Sequence, residues 1–264
     1  MRRGTAALVL ALALAGCGGG GGGSGSASGD SIAQAAAKSS RAGSIKTDFT
    51  VTGPGAKGTG SGVFNTGKNR SGRLTMELEV NGRKSSLESI VTGDVLYMRS
   101  PVFAQAGLSG RQEWVKLDLA ALAQQQGIDL SSLVNASPTP NSVLAYLHGA
   151  GKVEKRGSET VRGTKATRYH VTVDLERAAA RADAETAESI RRVIRLSGLT
   201  KLPVDAWVDD DGYLRKVKWA EHTSPQTSAQ VTMELYDFGP PVEVKPPPKG
   251  QVLDLLQRLS GGQG

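Results

Sequence analysis

The chain has 264 residues, which is enough for one large domain or two modest ones with a hydrophobic core. Its formal net charge is +7, but the 32 Lys and Arg residues are scattered, with no dense basic run and no interleaved aromatic residues. That pattern argues against a nucleic-acid partner and is compatible with weak attraction to an anionic membrane surface. Because the chain contains 1 cysteine, an intramolecular disulfide is excluded.

The N-terminal segment predicts export and lipidation. Met1-Arg2-Arg3 precedes an apolar run from Ala6 to Ala15 that is followed by Gly16 and Cys17. A basic start, a short apolar run and small residues at a cleavage site are typical of a secretory signal, and the run is shorter than the roughly 20 residues that span a bilayer. Leu-Ala-Gly-Cys also matches the bacterial lipobox, in which a diacylglyceryl group is attached to the cysteine thiol before cleavage. We therefore predict a signal peptide over residues 1–16 and a lipidated Cys17; an ordinary signal peptide with an incidental cysteine is the alternative.

This prediction places the protein at the cell membrane, lipid-anchored on the extracytoplasmic face, because two acyl chains suffice for stable anchoring. Residues 17–30 then form the lipidated cysteine and a Gly/Ser tether, residues 31–259 the folded domain, and residues 260–264 a disordered tail. Ser31 and Gln34 predict a capping box at the start of a first helix, and Gly43 predicts its end.

From Ile45 onward the apolar residues alternate with polar ones, which predicts β-strands. The clearest strand carries Leu74, Met76, Leu78 and Val80 on one face, and Asn81-Gly82 after it is a strong hairpin signal. Further strands are predicted over residues 45–51, 61–65, 84–92, 95–99, 114–117, 153–157, 164–173, 202–208, 213–221 and 231–235.

Helices are predicted between these strands. Asp118 caps a short one, Asn141 caps another, and Asp174 opens the longest helix, which Gly198 ends. Residues 124–140 form a long irregular segment, and an amphipathic turn with Val252, Leu255, Leu256 and Leu259 follows the prolines near the C-terminus.

The sum predicts an α+β fold: a single large curled antiparallel sheet whose concave side is covered by several helices. Strand-turn-strand spacing excludes βαβ units, and a sheet this wide must twist and curl. The glycines at 58, 60 and 62 predict a sharp bend or bulge.

A search for catalytic and metal sites finds none with convincing context. Residues 53–58 match G-x-G-x-x-G and residues 62–68 match G-x-x-x-x-G-K, but a strand follows the first and Asn69 replaces the Ser or Thr that the second requires. Asp209-Asp210-Asp211-Gly212 lacks the spacing of a calcium loop and predicts a tight turn. The three histidines, His148, His170 and His222, are not at metal-ligand spacing. We predict no enzyme activity, no cofactor and no metal.

The lipobox, the helix near Ser31, the meander and two hairpin segments, Gly157–Asp174 and Leu202–Arg215, resemble the actinobacterial lipid-carrier lipoproteins of the LppX/LprG type. The resemblance covers residues 31 to 259. It implies a LolA/LolB-like half-open β-barrel, closed by helices around an apolar cavity that binds a lipid or glycolipid and carries it across the envelope. It also implies a membrane lipid transporter as a partner.

In that family, inward strand side chains contact the lipid. The corresponding alternating positions here are Phe49, Val51, Leu74, Met76, Leu78, Leu96, Met98, Val171, Val173, Val204 and Ala206. The same residues would equally suit a filled core. An envelope sensor or scaffold that grips a protein partner with the same fold is therefore the alternative function.

Overall fold

The computed structural model describes residues 28–66, 71–105, 112–118, 121, 139–224 and 227–261. The strands in these ranges are β1 Ser44–Gly53, β2 Ala56–Asn65, β3 Ser71–Val80, β4 Arg83–Thr92, β5 Val95–Arg99, β6 Trp114–Asp118, β7 Ala150–Val161, β8 Thr164–Asp174, β9 Lys201–Asp209, β10 Leu214–Ser224, β11 Thr227–Gly239 and β12 Val252–Asp254. The helices are α1 Gly29–Ser40, α2 Pro101–Gln105, α3 Pro140–Leu147, α4 Leu175–Arg181, α5 Ala184–Ser197 and α6 Leu255–Gly261.

The twelve described strands form one sheet with the order β12-β6-β5-β4-β3-β2-β1-β11-β10-β9-β8-β7. Neighbouring strands are antiparallel except β12, which pairs in parallel with β6. The sheet is not closed, since β12 and β7 lie at its two edges. The predicted α+β architecture, one large curled antiparallel sheet with several helices, is confirmed.

Helices α1 and α3 cover the concave face of one half of the sheet. They contribute Ile32 and Ala36 from α1 and Val143, Leu144 and Leu147 from α3 to the principal hydrophobic cluster. The same cluster includes inward residues of β1, β2, β3, β8, β9, β10 and β11. The described members of this cluster lie between residues 32 and 238.

A segment that we call the strap, residues 240–248, crosses one end of the sheet. There the side chain of Asn65 pairs with the backbone of Val242: Asn65 Nδ2 donates to the Val242 carbonyl at 2.8 Å, and Asn65 Oδ1 accepts from Val242 N at 2.9 Å. Ser44 Oγ donates to the Pro240 carbonyl at 2.7 Å. We call this end of the sheet the strap end, and the opposite end, formed by the β1–β2 and β3–β4 turns, the distal end.

Beyond the strap the chain reaches the other edge of the sheet. Lys116 of β6 forms an ion pair of 2.9 Å with Asp254 of β12. Leu255 and Leu256 of α6 pack on a second hydrophobic cluster around Leu96 and Leu117. The predicted amphipathic turn near the C-terminus is therefore a short edge strand followed by a helix that runs to Gly261.

Two predicted helix starts are wrong. Helix α1 begins at Gly29 with Ser28 as its N-cap residue, and the expected capping box at Ser31 is not formed. Helix α3 is capped by Thr139, which forms a capping box with Ser142 across Pro140. The amide of Asn141, the predicted cap, instead donates to the Asn65 carbonyl at 3.3 Å.

Asp174 caps a helix as predicted, accepting a hydrogen bond from Arg177 N at 2.9 Å, but the single helix predicted from Asp174 to Gly198 is wrong, because the segment forms two helices. Ala182 adopts an extended conformation, and the carboxylate of Asp183 accepts a hydrogen bond from Thr186 N, which starts α5. An Asp that caps its own downstream backbone competes with helix continuation at that point. Gly198 ends α5 with a positive φ of 71°, as predicted.

The glycines of β2 do not form the predicted bulge, since β2 pairs with β1 and β3 in continuous register. Instead they make room for aromatic rings. A methyl group at Gly60 would lie 2.6 Å from Phe49 Cε1, and one at Gly62 would lie 2.7 Å from Phe64 Cε2. The rings of Phe49 and Phe64 therefore pack against bare backbone on the concave face.

Other predictions lie wholly or largely outside the described residues. These are the signal peptide, Cys17 and the tether up to residue 27, and most of the segment from 119 to 138. Within that segment, Ala121 N donates to Asp118 Oδ1 at 3.0 Å, as the predicted cap requires.

Candidate functional site: an apolar recess at the distal end

Most of the side chains predicted to line a cavity lie in the packed half of the concave face. Seven of them are buried in the principal cluster, and Val51 and Leu78 pack against it half-buried. The buried seven are Phe49, Leu74, Met76, Val171, Val173, Val204 and Ala206. Leu96 and Met98 belong to the second cluster, beside α6.

A narrow cleft lies between α3 and the strands beneath it. Val204, together with Leu147, Leu202 and Val217, lines a cleft of only about 10 Å³. A cavity of that size holds no more than a single water molecule. The lining of a lipid site by this buried group remains a prediction.

An open recess lies on the other half of the concave face, between the β3–β4 hairpin and α2. Its volume is about 1030 Å³. Leu78 and Leu87 form its apolar floor, and Val80, Val102 and Phe103 stand around it. A second recess of about 630 Å³ adjoins it and shares Leu78 and Pro101. Of the predicted cavity residues, Leu78 is the one that lines these two recesses in the described part of the chain.

The sequence of β4 explains why space remains here. Register places Ser85 opposite Leu78, Leu87 opposite Met76 and Ser89 opposite Leu74 on the concave face. Two of these three side chains are therefore serines, which are too short to fill the space that Leu or Phe would occupy. Helix α2 is five residues long and contributes no buried residue.

Sequence reasoning missed Ser85, Leu87, Val80 and the whole of α2 as parts of a site. The signal that could have indicated them is the alternation of β4, which places small polar residues on the face where β3 carries Leu and Met. A strand whose inward positions are small and polar cannot fill the inside of a curled sheet.

The rim of the recess carries positive charge. Arg83 and Lys84 follow the Asn81-Gly82 turn, and both side chains are exposed. Among the described residues, neither has a carboxylate within ion-pair distance. Arg83 stands directly opposite Val80 in the hairpin register.

Neither of the two histidines whose side chains are described, His148 and His170, lines the recess. His170 lies on the convex face, where its Nδ1 is 2.9 Å from Asp205 Oδ1. Burial opposes the charge of Asp205, but hydrogen bonds from His170 and Arg168 outweigh it and lower the pKa of the carboxyl. Burial, with a smaller contribution from Arg181, lowers the pKa of His148 at the end of α3. The side chain of His222 lies outside the described residues.

The Asp209–Gly212 segment forms the predicted tight turn. Asp209 accepts a hydrogen bond from Tyr213 N at 2.7 Å and pairs with Arg215 Nε at 2.6 Å. Across the described residues, no three His, Cys, Asp or Glu side chains are grouped so that they could hold a metal ion. No helix in the same ranges combines the length and apolarity needed to cross a bilayer.

Comparison with known proteins places this geometry in context. No family model matches the sequence. An uncharacterized 31.2 kDa protein of Streptomyces griseus is 32% identical over 166 residues, which cover 60% of this chain and 53% of that protein. The chain thus spans about half the length of this relative. A provisionally named lipoprotein of Streptomyces coelicolor is 24% identical over 243 residues, covering 88% of this chain and 76% of the relative.

The crystal structure of LprF from Mycobacterium bovis has the same fold. It matches with a TM-score of 0.51 at 14% identity, covering 83% of this chain and 96% of LprF. The chain is thus an α+β protein of the LprF type in architecture. The predicted resemblance to actinobacterial LppX/LprG-type proteins is confirmed at the level of the fold.

Proposed function

We propose that this protein is a membrane-anchored extracytoplasmic lipoprotein that binds a lipid or glycolipid in the distal recess and carries it across the cell envelope. The observation that carries the proposal is the recess itself, with its volume of about 1030 Å³ and its floor of Leu78 and Leu87. Small-molecule sites usually enclose about 300–1,000 Å³. The recess is therefore large enough for acyl chains.

The chemistry of the recess suits an amphipathic ligand. Each methylene that leaves water for an apolar floor contributes roughly 0.8 kcal/mol, so acyl chains gain most from this surface. Arg83, Lys84 and the serines of β4 stand where a polar or anionic head group would remain. The family resemblance drawn from the sequence implies the same class of ligand.

The anchor belongs to the proposal as well. Cleavage before Cys17 and acylation of its thiol would tie the domain to the cell membrane on its outer side. A provisionally named lipoprotein among the relatives supports this location. A membrane lipid transporter is the expected partner for loading or release.

The direct test is to purify the mature chain, residues 17–264 with Cys17→Ser, and to analyse an organic extract by mass spectrometry. Uptake of a fluorescent acyl lipid is measured in parallel. We expect a co-purified lipid and saturable uptake. Leu78→Trp, which fills the recess from its floor, should weaken uptake roughly tenfold or more.

Thr75→Trp is the matched control, because Thr75 is an exposed residue of the same strand on the convex face. Its uptake should equal that of the parent. Finding neither lipid nor uptake would contradict the proposal. A stoichiometric protein partner in place of lipid would favour the sensor or scaffold alternative.

A further inference from the structure

We propose that the distal end of the sheet docks onto an anionic lipid bilayer, with the rim of the recess as the contact surface. Val80 and Val102, which stand on this rim, are 50% and 51% exposed. The third exposed large apolar side chain of the described residues, Val242, lies at the strap end and is 38% exposed. Valines held in water beside the mouth of an apolar recess are suited to the interfacial layer of a membrane.

The charges of particular turns also favour the distal end as the membrane contact. The β3–β4 turn at the distal end is followed by Arg83 and Lys84. Two of the described turns at the strap end carry Asp94, Asp210 and Asp211, and the Arg162 of a third is paired with Asp48 and Glu234. Lipid phosphates would therefore attract Arg83 and Lys84 and repel the aspartates of these strap-end turns.

Glu77 and Glu79 of β3 lie beside Arg83 and Lys84, and their negative charges reduce the attraction of this pair to lipid phosphates. Glu79 stands opposite Lys84 in the hairpin register. Arg83 has Val80 as its cross-strand partner, and it lies nearest the turn. Of this basic pair, Arg83 thus has the freer approach to a head group.

The start of the domain lies at the same end of the sheet. Register joins Val204 of β9 through Trp219, Val231, Val51 and Gly58 to Leu78 of β3 in one row across the sheet. Ala150 of β7 lies further toward the distal end than this row, because it pairs with Val173, two residues beyond Val171. Gly29 packs against the Ala150 backbone, so α1 begins at the distal end.

That position favours one orientation of an anchored molecule. Eleven peptide units separate Cys17 from Ser28, and a chain of that length spans at most about 40 Å. An anchor at Cys17 would keep the start of α1, at the distal end, within about 40 Å of the bilayer. The mouth of the recess would then open onto head groups, and a lipid could enter without crossing bulk water. This orientation rests on the proposed anchor; the docking surface itself does not.

The test is co-sedimentation of the mature chain, with Cys17→Ser, with vesicles of phosphatidylcholine alone or mixed with phosphatidylglycerol. We expect binding to the mixed vesicles. The Arg83→Glu/Lys84→Glu double variant should bind roughly tenfold or more weakly. The Val80→Ser/Val102→Ser double variant should lose a similar factor, because it removes the apolar contact.

Two strap-end variants are the matched controls. Val242→Ser removes an exposed valine at the strap end, and Lys165→Glu reverses an exposed charge near the β7–β8 turn. Both should sediment like the parent. Equal binding by all variants, or an equal loss in the controls, would overturn the docking surface.

Leu78→Trp distinguishes docking from lipid uptake, because Leu78 lies on the floor of the recess and not on its rim. This variant should lose uptake and still sediment with vesicles. A parent chain that takes up lipid but ignores anionic vesicles would refute docking and leave the proposed function standing.

Discussion

Gly60 is the residue on which the packing of the Phe49 ring depends. A methyl group there would lie 2.6 Å from Phe49 Cε1 and 2.8 Å from the Thr75 carbonyl oxygen. We expect Gly60→Ala to lower the free energy of unfolding by about 1–3 kcal/mol, because an overpacked site forces ring and backbone to shift. Urea unfolding of parent and variant measures the change.

Gly250→Ala is the control, because a methyl group at Gly250 meets nothing within 4 Å and its φ is not positive. It should change the free energy of unfolding by less than about 0.5 kcal/mol. Phe49→Leu should recover part of the loss in the Gly60→Ala background, since the ring is then absent. Equal stability of Gly60→Ala and the parent would contradict the packing described for β2.

Residues whose role is local could be predicted from the sequence. Asn81 and Gly82 both have positive φ, 50° and 78°, in the turn that their dipeptide predicted. The role of Gly60 was predicted wrongly, because this glycine makes room for the ring of Phe49, which belongs to another strand. The role of Asn141 also depends on a distant part of the chain: its amide donates to the carbonyl of Asn65, which is 76 residues away.

At the scale of elements, Asp254 holds the C-terminal strand and helix in place. Its carboxylate accepts from Lys116 Nζ at 2.9 Å and from Leu256 N at 3.1 Å. Burial opposes the charge, yet these bonds, with one from Gln257 N, lower the pKa of Asp254. The hydrogen bond to Asp254 raises the pKa of Lys116, with burial opposing it. We expect Asp254→Asn to cost about 1–2 kcal/mol at neutral pH, in the range of a lost helix cap.

The pH dependence of this stabilisation follows from the directions of the Asp254 and Lys116 pKa shifts. A carboxyl with a lowered pKa in the folded state stabilises the fold above its ordinary pKa of about 4, and this contribution is lost as the pH falls through the lowered value. The amine of Lys116, whose pKa is raised in the folded state, stabilises the fold below its ordinary pKa of about 10.4. This contribution is lost as the pH rises through the raised pKa. The deficit of Asp254→Asn, measured by urea unfolding, should thus shrink in strong acid.

Glu243→Gln is the matched control, because Glu243 is an exposed carboxylate of the strap that pairs with Lys245 at 3.4 Å. It should have little effect at any pH, as exposed ion pairs contribute little. A deficit of Asp254→Asn that stays constant from neutral pH into strong acid would show that the ion pair is not its cause.

Strands β3, β4 and β5 were predictable because alternation and turn residues mark them within a few positions. The parallel pairing of β12 with β6 was not, since it joins segments separated by about 140 residues and depends on where the strap leads. The break between α4 and α5 was visible only as Asp183 within an otherwise helical pattern. An Asp is tolerated within many helices, and its capping bond to Thr186 N appears only in the fold.

For the whole molecule, the curled sheet with an inner helical layer was predictable, but the position of the space inside it was not. Leu78 on the recess floor and Val204 in the packed half both lie in strands where apolar and polar residues alternate. This sequence pattern does not distinguish the surroundings of the two residues. Which of them meets a helix depends on how α1 and α3 cross the sheet. The unequal filling of the two halves is thus a property of the assembled fold.

That unequal filling predicts where a bound lipid changes the dynamics. Amides of β8 and β9 lie beneath the packed helical layer and should exchange slowly with or without ligand. Amides of the β3–β4 hairpin and of α2 border the recess, and local opening there exposes the ligand site. At a free lipid concentration 100-fold above Kd, linkage slows exchange through such openings by about 100-fold. Hydrogen exchange read by mass spectrometry, with Leu78→Trp as the control that should show no slowing, tests this. Slowing confined to β8, β9 and α3 would place the lipid among the buried residues instead, and would refute the recess as its site.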